Sequence, residues 1–171
     1  MTLVTDYYRS VLEKEHAQGE WGVASIGYAP RIANIMSRYK LTEILDYGAG
    51  AGNLEKNLKI LLPNVIVHNY EPGVPKWSNK PAPCKMVACT DVIEHIEPEC
   101  LDDVLDDLQR VIEQHAFVSI STAPAYRVLN NGWNAHICIK KPIEWKEIFE
   151  KRFNIVQSNV FDNGIELELQ K

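Results

Sequence analysis

Glu43-Ile44-Leu45-Asp46-Tyr47-Gly48-Ala49-Gly50-Ala51-Gly52-Asn53-Leu54 runs from a short apolar strand into a turn with three glycines in five residues, then into a helix start. Glycine accepts positive φ and lets a ligand approach with no Cβ in the way, while the free N–H groups of a helix start favour negative or polar ligand atoms. The stretch therefore reads as a loop that holds a ligand at the end of a strand. A dinucleotide fingerprint would place its third glycine one residue later, where this chain has Asn53; the spacing here is G-x-G-x-G, led by Asp46.

Downstream of the loop, Leu54, Leu58, Leu61 and Leu62 recur at helical spacing, and Pro63-Asn64 stops the helix before a second strand, Val65 to Tyr70. That strand ends in Glu71, 19 residues beyond Gly52, where an acidic side chain suits the diol of a ribose. A further strand from Met86 leads into Asp91-Val92-Ile93-Glu94-His95-Ile96. These ordered segments resemble the class I S-adenosylmethionine-dependent methyltransferases. Asp46, Gly48, Gly50 and Gly52 match the D/E-x-G-x-G-x-G motif, Glu71 matches the ribose carboxylate, and the segment after Thr90 is similar to the family's D-V-L-E-H-I stretch. The resemblance implies a Rossmann-like three-layer α/β sandwich and S-adenosylmethionine as cofactor. It also implies that Asp46, Gly48, Gly50, Gly52, Glu71, Cys89 and Thr90 hold that cofactor. With Trp21-Gly22, Tyr70-Glu71-Pro72-Gly73 and Glu144-Trp145 added, the pattern is similar to a compact methyltransferase-like family of bacterial and phage genomes.

The rest of the chain supplies the frame. Tyr7 to Gln18 predicts a helix with Tyr8, Val11 and Leu12 on one side. Trp21-Gly22 breaks the pattern and reads either as a lid over the cofactor mouth or as cover, with Trp21 plugging the core edge. Pro30 to Tyr39 predicts a second helix burying Ile32, Ile35 and Met36, with Arg31 and Arg38 in solvent. Between Glu71 and Lys85 lie only thirteen residues, four of them proline, too few for a crossover helix and a third strand. An irregular loop is expected there. The family's adenine-recognising acid then has no counterpart, so backbone around Ala82 to Cys84 takes that role. Leu101, Val104, Leu105, Leu108, Val111 and Ile112 form one helical stripe, with Asp102, Asp103, Asp106 and Asp107 on a solvated face. Phe117 to Ser121 is a buried strand, Thr122 to Ala135 a loop, and Pro142 to Phe149 a helix. Asn154 to Phe161 and Ile165 to Leu169 form a hairpin about Asp162-Asn163-Gly164. The expected fold is one domain over residues 1–171: a mostly parallel sheet, reduced at its third-strand edge and closed by an antiparallel C-terminal hairpin.

Methyl transfer from a sulfonium is an in-line displacement, so the protein's main task is to hold the acceptor atom about 3 Å from the methyl carbon. Ligands of open α/β sheets sit beyond the carboxyl ends of the strands, which gathers Asp91, His95 and His136 as candidate catalytic residues and Trp133 and Asn134 as substrate contacts. In a helical turn Asp91, Glu94 and His95 share a face. With His136 they look like the metal-binding segment of small-RNA 3′-end 2′-O-methyltransferases, implying magnesium or manganese on Asp91, Glu94, His95 and His136. The metal-free version, in which the group orients the acceptor, is favoured because Asp91 is shorter than the family's glutamate. A cofactor-binding module without catalysis is the reading from another class.

Composition narrows the partners. A formal charge of −5 over 171 residues argues against an extended nucleic-acid groove, which needs a clustered basic surface. A nucleic-acid end is possible as substrate, and a small molecule is favoured. Cys84, Cys89, Cys100 and Cys138 lack C-x-x-C spacing, so reduced thiols and a cytoplasmic setting are expected. No apolar run approaches the ~18 residues that span a bilayer.

Overall fold

The computed structural model describes residues 1–19 and 25–171, so the expectation for Trp21-Gly22 lies outside the described residues. The elements in order are α1 (Asp6–Ala17), α2 (Ser25–Arg38), β1 (Glu43–Tyr47), α3 (Asn53–Leu61), β2 (Ile66–Tyr70) and β3 (Cys84–Thr90). They continue as α4 (Leu101–Val111), β4 (Ile112–Ser121), α5 (Pro142–Glu150), β5 (Asn154–Phe161) and β6 (Gly164–Gln170). One sheet takes the strands in the order β2-β1-β3-β4-β6-β5. The first four are mutually parallel, and β6 runs antiparallel to both β4 and β5.

Alternation along the central strands divides the core. Met86, Ala88 and Phe117 join Ile32, Ile35 and Met36 of α2 and Leu54 and Leu58 of α3 on one face. Val87, Cys89, Ala116 and Val118 join Val104, Leu105 and Leu108 of α4 and Trp145 and Phe149 of α5 on the other. This is the three-layer arrangement that the period-two and period-3.6 patterns require. The four cysteines are all buried and free. Among the described residues, no helix is long and apolar enough to cross a membrane.

The segment after Glu71 holds a single 3₁₀ turn, Pro75–Trp77, and no strand before Cys84, so β2 is the sheet edge. Three local expectations are corrected. Pro30 lies inside α2 rather than at its start, because Ser25 and Ala29 extend the buried stripe of Ile32 and Met36 one turn further back. Arg31 and Arg38 are not simply solvated: they pair with Glu166 and Glu168 on β6. Asp107 is fully buried and accepts from Arg110 Nε at 2.8 Å and from the Tyr47 hydroxyl at 3.2 Å, with Lys80 Nζ at 3.7 Å. Arg110 also donates to the Pro81 carbonyl at 2.9 Å, which ties α4 to the short connection.

Candidate active site

The glycine loop is shaped by backbone angles that side chains resist: φ is 86° at Gly48, 53° at Gly50 and 71° at Gly52. The N–H groups of Gly48 and Ala49 both donate to the Tyr70 carbonyl, at 2.8 and 2.9 Å, fixing the loop to the end of β2. Beside it Glu71, nearly fully buried, accepts from Gly50 N–H at 3.1 Å and from Gly73 N–H at 3.0 Å. Its Oε1 lies 3.6 Å from His16 Nε2. Gly48, Gly50 and Glu71 line one cavity of about 90 Å³, together with Asp91 and His95.

The remaining walls come from the N-terminus. Tyr8, Leu12 and His16 project from one face of α1 into this cavity. The helix lies so close to Gly73 that a Cβ there would stand 2.7 Å from that of Leu12. Thr5 caps α1 by accepting from Tyr8 N–H, while its own N–H and hydroxyl donate to Glu97 at 2.9 and 2.7 Å. At the other end buried Glu15 accepts from Arg127 Nη2 at 2.7 Å and from Asn130 N–H at 2.8 Å. Val4, Tyr8, Val11 and Leu12 pack against Leu129 and Ala135, so α1 is bound to the glycine-loop side and to the loop after β4 alike. The sequence reading left this N-terminal segment between a lid over the mouth and a cover helix, and named none of these three side chains for the site. The signal was present: Tyr8, Leu12 and His16 recur every fourth residue.

Asp91 follows β3 with φ of 52°, a conformation that aspartate tolerates better than most residues. Its N–H donates to Ser119 Oγ, and its Oδ1 accepts from that hydroxyl at 2.8 Å and from Tyr28 at 3.3 Å. Burial, then the Asp91 charge, push the Tyr28 phenol up to about 12. Glu94, His95 and His136 converge instead on each other, each offering a ligand atom within 4.8 Å of the others'. Asp91 is outside that group, unlike in the four-residue metal set that the sequence offered as the alternative: the turn covers only Ile93–His95, and Asp91 precedes it in the left-handed conformation.

Both imidazoles are oriented by carbonyls. His95 Nδ1 lies 2.7 Å from the Ala135 oxygen and His136 Nδ1 2.6 Å from that of Ala123. A carbonyl has no proton to give, so in each ring Nδ1 is the donor. Burial, then His136, lower His95 to about 4, leaving it neutral near pH 7. Glu94 is fully buried, with Oε1 accepting from Ser121 N–H at 2.7 Å and Oε2 without a hydrogen bond among the described residues. Burial, then Asp91, raise it to about 8.

The other predicted positions divide. His136, Trp133 and Asn134 border a groove of about 350 Å³ next to the cavity, which shares Glu97 with it. The Asn134 amide is largely occupied by the loop itself: it accepts from the N–H groups of Ala125 and His136 and donates to the Ala125 carbonyl. Cys89 and Thr90 are buried and do not line the cavity; Cys89 belongs to the core because strand alternation turns it toward α4 and α5. Gly52 faces Trp77, whose ring would stand 2.7 Å from a Cβ. Asp46 lies buried under the loop, raised to about 7 by burial, then by Glu71 and Glu55.

No protein-family model matches the chain, and neither does any curated protein. Solved structures do match. The 1,6-didemethyltoxoflavin-N1-methyltransferase of Burkholderia thailandensis, with 1,6-didemethyltoxoflavin and S-adenosylhomocysteine bound, aligns at TM-score 0.65 and 13% identity. That alignment covers 100% of this chain and 92% of the other. Magnesium protoporphyrin IX methyltransferase of Synechocystis PCC 6803, with S-adenosylmethionine bound, aligns at 0.63 and 13% over the whole of both chains. An O-methyltransferase family protein of Burkholderia thailandensis aligns at 0.63 and 9%, over 97% of this chain and 59% of that one. The fold is that of the class I S-adenosylmethionine-dependent methyltransferases.

Proposed function

We propose that this protein is an S-adenosylmethionine-dependent methyltransferase acting on a small molecule. The observation that carries the reading is the union of the left-handed glycine loop, the buried Glu71 carboxylate, Asp91 and His95 around one cavity. Structural neighbours that hold this cofactor or its product support it. Charge supports it too: Glu71, Asp91 and Glu97 line the cavity with no lysine or arginine among the described lining residues, as a sulfonium and an ammonium require. In this reading Glu71 receives the ribose hydroxyls, the glycine loop passes close to the amino-acid portion, and His95 and His136 flank the methyl group. In this reading one of the two imidazoles takes a proton from the acceptor as it attacks. The direct test is calorimetric titration with S-adenosylhomocysteine. Micromolar binding that is lost in Gly50→Val is the expected result, and absence of binding by the folded wild type rejects the proposal.

The convergence of Glu94, His95 and His136 favours a second version of the same enzyme, in which these residues hold a divalent ion. Two imidazoles fixed by Nδ1–H to carbonyls are the usual preparation of histidine ligands, and a bound ion would act as a Lewis acid on an acceptor oxygen. Thermal unfolding at pH 8 with chelator, manganese or zinc decides this version. Stabilisation by an ion that disappears in His136→Ala supports it, and equal melting in all conditions excludes it.

A further inference from the structure

The groove beside His136 points to the class of acceptor, and the inference rests on the methyltransferase reading above. One wall is Trp133, 44% exposed, its ring stacked on Tyr8 at 6.4 Å and met edge-on by Tyr7 at 5.9 Å. The loop that carries it is rigidly tied. Gly132 adopts φ of 86°, Leu129 N–H donates to the Trp133 carbonyl at 2.8 Å, and Asn131 Oδ1 accepts from Trp133 N–H at 3.0 Å. The indole is thus presented already oriented, with its partners behind it. Pro98 and Ile137 add apolar surface, while Glu97 and Glu99 give the groove two carboxylates.

Those carboxylates are not neutralised. Glu97 accepts from the neutral donors of Thr5, Glu99 is exposed, and among the described residues no lysine or arginine pairs with either. An aromatic face and a local excess of negative charge are complementary to a flat ring with a positive charge, through stacking, cation–π attraction and Coulomb attraction together. The same groove repels carboxylates and phosphates, and with them a nucleic-acid end. We infer that the groove bordered by Trp133, His136, Glu97 and Glu99 is the acceptor subsite and selects planar aromatic molecules carrying a positive charge over anionic ones.

Three indole probes of equal ring size separate the contributions: tryptamine (cation), tryptophol (neutral) and indole-3-acetate (anion). Each is titrated into the full chain by ligand-observed NMR, with and without S-adenosylhomocysteine. Tryptamine is expected to bind about tenfold more tightly than indole-3-acetate at low salt, with tryptophol between them, and the gap is expected to shrink as salt rises. Glu99→Gln, an exposed change, should narrow that gap, and Trp133→Ala should weaken tryptamine and tryptophol alike by about fivefold. Equal or tighter binding of indole-3-acetate, no binding of any probe at millimolar concentration, or indifference to Trp133→Ala in a variant with native circular dichroism would overturn the inference. The arms with S-adenosylhomocysteine keep the two claims apart. If the probes show the charge preference while S-adenosylhomocysteine fails to bind, the groove stands and the methyltransferase reading falls; the reverse pattern removes only the groove.

Discussion

Glu94 is a proton held by the fold. With its carboxyl at about 8 in the native state and near ~4.3 in an unfolded chain, the native state binds the extra proton between those values. The contribution of Glu94 therefore falls as pH rises through that window, opposed below ~6.5 by His95, which is held neutral down to about 4. Asp46, at about 7, adds a second contribution of the same sign that ends lower. Glu94→Gln keeps an oxygen for Ser121 N–H and removes the titration. In chelator it is expected to leave urea unfolding at pH 5 nearly unchanged and to add roughly 1–3 kcal/mol at pH 8.5, given ~1.4 kcal/mol per pKa unit. A Glu94→Gln effect of equal size at pH 5 and pH 8.5 would mean that Glu94 titrates as an ordinary glutamate. At Glu71 the loss is one of binding: Glu71→Ala should weaken S-adenosylhomocysteine by ~1.5–3 kcal/mol, the scale of hydrogen bonds to a charged group, as read by calorimetry. Gly48 tests the loop itself. A Cβ there meets Val92 Cγ2 at 2.3 Å in addition to the positive φ, so Gly48→Ala is expected to cost about 2–4 kcal/mol in denaturant unfolding.

At the scale of elements, α1 is held by Glu15 at one end and Thr5 at the other. Glu15→Ala leaves Arg127 and Asn130 N–H without their carboxylate and should destabilise by roughly 1–3 kcal/mol, less than a fully buried pair because Arg127 is partly exposed. Hydrogen exchange would place the loss: faster at the amides of Leu129, Gly132 and Ala135, unchanged in β3 and β4. Uniform acceleration would mean that α1 supports the whole fold. The same helix marks how far the sequence could be read. Strand, glycine loop and helix were legible at 43–61 because turn chemistry and periodicity are local. The α4 stripe and the final hairpin were legible for the same reason. Periodicity reports that a face is buried but not what buries it, so the place of Tyr8, Leu12 and His16 in the site was not. Asp107 shows the converse: a run of aspartates looks solvated until Lys80 and Tyr47 arrive from two other segments to join Arg110 of the same helix. For Asp91 and Glu94 the spacing was right but the turn was shorter than expected: it covers only Ile93–His95, and Asp91 stands before it with a left-handed φ of 52°.

For the whole molecule, β3 and β4 contribute to both faces of the core, so neither face can come apart without exposing the other. The chain is accordingly expected to unfold as a single cooperative unit, with tryptophan fluorescence and far-ultraviolet circular dichroism superimposing in urea; two separated transitions would divide residues 1–171 into more than one domain. The roof over the cavity has a consequence of another kind. A space of about 90 Å³ is well below the ~300–1,000 Å³ of ordinary ligand pockets, and α1 both covers it and braces the loop after β4. Under the proposed function, a cofactor larger than this space enters and leaves only as α1 moves, so exchange of spent for fresh cofactor, rather than bond making, sets the pace of turnover. Lids of this type move in microseconds to milliseconds. The kinetic trace would then begin with a burst, one methylated product per enzyme formed quickly, and settle to a slower rate that falls in proportion as the solvent is made more viscous.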